Sequence, residues 1–118
     1  MDQQEYQQVM SELNYYQDLL KQVEKSLLNL KKTKQDLEAF KEETEKTVLA
    51  PIATGVYVEA ELKNKDIYVN IGAGIVSKKS VKEAIDIIER QEDEVLLDQA
   101  KVIEKLEECY SSLQKKGD

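Results

Sequence analysis

Histidine is absent from these 118 residues, and cysteine and proline each occur once. Without histidine the chain can build neither a His-ligated metal centre nor a Ser-His or Cys-His nucleophile pair. One cysteine rules out a thiolate zinc cage and an internal disulfide alike. The 24 acidic residues leave carboxylate chemistry open in principle. Spread as they are, they read as solvated faces, so neither an enzyme nor a cofactor is expected. No apolar run approaches the roughly 18 residues of a membrane-spanning helix. The opening Met1-Asp2-Gln3-Gln4-Glu5 is acidic and polar, unlike a secretory leader, and there is no Asn-x-Ser/Thr sequon. A cytoplasmic location is the expectation. The net charge of −7 argues against a nucleic-acid partner, whose phosphates call for a basic face.

What the chain does have is a heptad repeat in two long arms. In the first, Tyr6, Val9, Leu13, Tyr16, Leu20, Val23, Leu27, Leu30, Lys34 and Leu37 recur at alternating steps of three and four. In the second the same rhythm runs through Val81, Ile85, Ile88, Glu92, Val95, Gln99, Val102, Leu106, Cys109 and Leu113. Lys34, Glu92 and Gln99 are the polar breaks. Such a pattern predicts a coiled coil, which has almost no interior in which to hold a small molecule. The first helix is expected to start at an Asp2 N-cap, with Glu5 three residues on, and to run to about Lys46. The second is expected to start at the Ser80/Glu83 capping box and to end with Lys115, Lys116 and a Gly117 cap.

Between the arms the period falls to two. Val56, Val58, Ala60 and Leu62 alternate with Tyr57, Glu59, Glu61 and Lys63, and Ile67, Val69 and Ile71 alternate with Tyr68 and Asn70. Asn64-Lys65-Asp66 has turn composition, so these two runs read as one hairpin. Shorter candidate strands at 47–52 and 75–78 flank it, set off by Gly55, Gly72 and Gly74. Pro51 lacks a ladder donor and places its strand at an edge. The fold class is therefore α+β: a long antiparallel two-helix coiled coil with a central pair of β-hairpins. The organisation is a helix over 1–46, a β segment over 47–79 and a helix over 80–118, in one structural domain. A lone pair of hairpins is barely stable in water and its edges invite pairing, so the β segment is expected to join sheets from several subunits.

Gly72-Ala73-Gly74-Ile75-Val76-Ser77 invites comparison with the dinucleotide fingerprint but fails it. Ser77 replaces the third glycine, and no βαβ unit surrounds the motif. The glycines are read as turn residues between strands.

Val48-Leu49-Ala50-Pro51-Ile52, Gly55-Val56-Tyr57-Val58-Glu59-Ala60 and Ile67-Tyr68-Val69-Asn70-Ile71-Gly72-Ala73-Gly74 resemble the strands of the prefoldin family. Two hairpins rather than one point to its alpha class, and the likeness covers essentially the whole chain. The resemblance implies a hexamer of two alpha-type and four beta-type subunits, whose β segments close an oligomeric β-barrel. Oligomerisation would then fall to Val48, Leu49, Ile52, Val56, Val58, Leu62, Ile67, Val69, Ile71 and Ile75. It further implies an ATP-independent chaperone that holds unfolded client proteins and transfers them to a group II chaperonin. Because a coiled coil frays at its ends, the expected client-binding tips are Tyr6, Val9, Met10 and Leu13 with Leu106, Cys109, Tyr110 and Leu113. The competing expectation is a coiled-coil adaptor or filament scaffold assembled through the same β segment.

Overall fold

The computed structural model describes residues 2–116, apart from the side chains of Ile71, Lys115 and Lys116. The expected Gly117 cap and the end charges of Lys115 and Lys116 therefore lie outside the described residues. In chain order the elements are α1 (Gln3–Glu42), β1 (Thr47–Ala53), β2 (Val56–Glu61), β3 (Ile67–Gly72), β4 (Ile75–Lys79) and α2 (Val81–Lys116). They fall into two compact units, one of residues 2–32 with 89–116 and one of Thr33–Ile88.

The first unit is a helix pair held by the heptad seam. Leu13 packs with Val102, Leu106 and Cys109, while Val23, further along α1, lies beside Asp98 and Val102. Numbers rise on one helix as they fall on the other, so the pair is antiparallel. Within it the seam positions read from the sequence are buried or half-buried, save Tyr6. Glu92 is among them at 9% exposure, and Gln99, the other polar seam position of α2, is half-buried. The N-terminus of α1 is closed as its sequence predicts: the Glu5 amide donates to Asp2 Oδ1 at 2.7 Å.

In the second unit each hairpin is its own two-stranded sheet, β1 with β2 and β3 with β4, both antiparallel. This corrects the expected hairpin across Asn64-Lys65-Asp66, since β2 and β3 belong to different sheets. The reason lies in the turns. Gly55 at φ 74° closes the first hairpin. Ala73 at φ 51° and Gly74 at φ 75° close the second with the paired positive angles that a type I′ turn demands. Residues 62–66 contain no glycine and are spent otherwise. The Leu62 amide donates to Lys46 O at 2.6 Å, extending the first ladder, and the Asp66 amide donates to Asn64 Oδ1 at 2.9 Å. Pro51 sits where the β1–β2 register shifts, at a bulge on an edge strand.

Lys65 explains a second correction, that α1 stops at Glu42 rather than near Lys46. Its ammonium donates to Phe40 O at 3.0 Å, to Lys41 O at 2.9 Å and to Glu43 O, and lies 5.6 Å from the centre of the Phe40 ring. A helix end leaves its last carbonyls without partners and carries partial negative charge. One cation from the inter-hairpin link satisfies both. Beyond it, the Thr44 and Glu45 amides turn onto Glu43 Oε1 at 3.0 Å each, and the helix cannot continue. The start of α2 is the expected capping box: the Glu83 amide donates to Ser80 Oγ at 3.1 Å and the Ser80 amide to Glu83 Oε1 at 3.2 Å. These bonds hold the Glu83 carboxyl below its usual pKa. Val81 and Ala84 are buried in this first turn.

Replacing Lys65 with methionine keeps the stem and removes the cation, so the last turn of α1 should loosen by about 1 kcal/mol. Hydrogen exchange at the amides of residues 42–45 should speed up by roughly fivefold, with the amides near Leu13 unchanged. An unaltered rate at residues 42–45 would remove the cap from the account.

Candidate functional site

Two surfaces stand out, one in each unit. The first is the open end of the helix pair, where the start of α1 meets the end of α2. Leu13, Leu106 and Cys109 are closed into the seam there, and Val9, Met10 and Leu113 pack against them half-buried. Tyr6 and Tyr110 remain outside, each about half exposed, and the Gln17 amide donates to the Tyr110 hydroxyl at 3.2 Å. All eight predicted tip residues thus fall in one unit: three are core, three flank it and two face water.

Two neighbouring features escaped the heptad reading. Leu19 also packs on the Leu13 cluster. Tyr15, exposed, sets its ring edge-on to Tyr16 with centroids 5.1 Å apart. They line open grooves along one side of the seam. One, of about 470 Å³, is bounded by Val9, Glu12, Tyr15, Tyr16, Glu108 and Cys109, with Lys105 and two serines. The next, of about 350 Å³, is bounded by Tyr16, Leu19, Val23, Asp98, Lys101, Val102 and Lys105. An apolar residue immediately before a seam position, as Leu19 is before Leu20, is the signal that could have found them. Among the described residues no group of histidine, cysteine or carboxylate side chains could hold a metal ion.

Cys109 faces Leu13 rather than solvent. Burial pushes its thiol up, and the carboxylates of Glu12 and Glu108 push it further against a weaker opposing pull from Lys105. A thiol so placed is a poor nucleophile and packs as a small hydrophobe.

The second surface is the pair of hairpins. Leu49, Ile52, Val56, Val58 and Ile75, all predicted for oligomerisation, are exposed, Leu49 at 67%. Val48, Leu62, Ile67 and Val69 are half-buried, and the Ile71 side chain lies outside the described residues. Tyr57, Tyr68 and Val76 are exposed as well, Tyr68 at 70%. Both faces of each hairpin therefore carry large apolar groups. Lys78 pairs with Asp66 at 3.2 Å at the far end of the second hairpin from its turn.

Against known proteins, the chain matches the Prefoldin subunit family model over residues 9–117. A prefoldin subunit alpha of Thermofilum pendens is 30% identical over 115 residues, covering 91% of this chain and 84% of the relative. Another, of Methanobrevibacter smithii, is 31% identical over 101 residues, covering 79% and 69%. A third, of Methanosphaera stadtmanae, is 30% identical over 89 residues, covering 70% of this chain and 64% of the relative, just under two thirds of its length. Among solved structures, the filamentous PFD of Methanocaldococcus jannaschii shares the fold, with a TM-score of 0.78 at 20% identity over 93% of each chain.

Near neutral pH, iodoacetamide should alkylate Cys109 on the order of tenfold more slowly in the folded chain than in the denatured one. Equal rates, followed by mass spectrometry, would show the seam to be open at its end.

Proposed function

The chain belongs to the prefoldin family, and on that premise we propose that it is an alpha-type subunit of a chaperone that holds unfolded proteins at coiled-coil tips without ATP and passes them to a group II chaperonin. Its assembly partners are beta-class subunits, two alpha-type with four beta-type, and the place of work is the cytoplasm. The division at 47 and 80 carries over into this proposal: helix, β segment for assembly, helix. Val48 through Ile75 of the predicted set would close the sheets into a barrel.

The observation that carries the reading is the end of the helix pair. The seam closes over Leu13, Leu106 and Cys109, yet Tyr6 and Tyr110 stay exposed beside half-buried Val9, Met10 and Leu113. A terminal turn is the cheapest part of a coil to open, because its backbone groups and packing partners are incomplete. Apolar and aromatic side chains there can be lent to another chain. Methionine and tyrosine adapt to varied surfaces, and several weak tips in one assembly gain by avidity. No catalytic group is assigned.

A scaffold is the second reading. The filamentous PFD has the same fold, and exposed hairpin edges can serve a filament as readily as a closed ring. Negative-stain images separate the two, showing either discrete particles or fibres.

In light scattering, a chemically denatured client diluted into buffer with the assembled complex should stay clear without ATP. Trimming about a dozen residues from each end, in a complex that still assembles, should restore aggregation. Full protection after trimming, or none before it, overturns tip-holding.

A further inference from the structure

The residues between α1 and β1, Glu43-Thr44-Glu45-Lys46, have a sequence that suits a helix and a structure that is not one. Glutamate and lysine are good helix formers, and threonine is only mildly poor. Helical continuation would set Lys41 beside Glu45 and Glu42 beside Lys46, both favourable pairs one turn apart. No glycine or proline intervenes before Pro51. All of 43–46 are exposed, so no buried apolar contact holds them in their present form.

What holds them is an exchange of hydrogen-bond partners. In a helix that ran on to Lys46, the Thr44 amide would donate to Phe40 O and the Glu45 amide to Lys41 O. In the structure Lys65 Nζ donates to both of those carbonyls, at 3.0 and 2.9 Å. Glu43 Oε1 accepts from both of those amides, at 3.0 Å each. One cation blocks the acceptors and one anion blocks the donors. The Glu43 amide meanwhile reaches Phe40 O at 3.2 Å, the tighter bond of a helix stopped at its last turn. Charge-assisted bonds are roughly twice as strong as neutral ones, so the four outweigh the two backbone bonds they displace. Removing either charge still leaves two charge-assisted bonds against two neutral ones. Only the loss of both leaves the helical bonds unopposed.

We infer that residues 43–46 form a two-state turn, locked out of the helix by Lys65 and Glu43 together, whose helical state releases the outer rung of the first hairpin. Four residues rise about 6 Å as a helix but span up to about 14 Å when extended. Winding the connector therefore shortens it. Lys46 O, which accepts the Leu62 amide at 2.6 Å, is then drawn away from the β1–β2 ladder. Leu62 and Lys65 lie in the same link between the hairpins, so the segment that locks the turn is also the one its release disturbs. The end of α1 and the edge of the first hairpin switch as one device, whatever work the assembly performs.

Amide exchange and Cα chemical shifts, read on this chain labelled within the assembled complex, test the device in Lys65→Met, Glu43→Ala and the double variant. Each single substitution should speed exchange at Thr44 and Glu45 by about fivefold. The double substitution should reverse that sign and return both amides to the parent rate or below it. It should also move the Cα shifts of 43–46 to helical values and speed exchange at Leu62 on the order of fivefold. Amides as fast in the double variant as in the single ones, or shifts that stay non-helical, overturn the two-state turn. Helical shifts beside an unchanged Leu62 amide overturn its coupling to the hairpin.

Discussion

Everything in this chain depends on one seam, a single row of side chains from each of two helices. All the buried apolar residues described lie on α1 and α2, and none of these side chains is fully enclosed. A two-helix coil can bury only one stripe from each partner, so the other faces of both helices meet water. That geometry accounts for the 35% charged composition. It also explains why the cavities beside the seam are open grooves rather than enclosed pockets. Function then has to reside in surfaces and ends.

The β segment obeys the opposite constraint. Two separate two-stranded sheets have every strand at an edge and no layer beneath both faces. Local devices hold their connections: positive-φ turns at Gly55 and Ala73-Gly74, Lys65 on the end of α1, and Ser80 with Glu83 at the start of α2. The apolar burial that accompanies them, Val81 and Ala84, is on α2 rather than on the strands. Leu49, Ile52, Tyr57, Tyr68 and Val76 stay in water, which an isolated hairpin tolerates poorly. On the proposed reading, the hairpins offer the face that other subunits would cover.

Periodicity was legible because it repeats. Ten positions in each arm were phased by steps of three and four, and within the helix pair only Tyr6 escapes burial. The capping box was legible because Ser80 and Glu83 settle it within four residues. Strand pairing was not. Asn64-Lys65-Asp66 has the composition of a hairpin turn, but Lys65 is committed to the carbonyls of Phe40 and Lys41, a contact more than twenty residues away in sequence. The same contact hid the true end of α1. At the tip, the eight residues named from the sequence fall in one unit, but the pattern could not tell core Leu13 from exposed Tyr6. How far a seam stays closed near its end is a matter of packing, not of pattern.

The central claim is that the chain is incomplete alone: the seam stands by itself and the hairpins do not. Amide hydrogen exchange on the monomer, with its mass verified, and again after mixing with a beta-class subunit, tests this most directly. Amides around Leu13 and Leu106 should be protected in both states, whereas those of β1 to β4 should exchange nearly freely in the monomer and become protected on assembly. Hairpin amides as well protected in the verified monomer as in the complex would contradict the account.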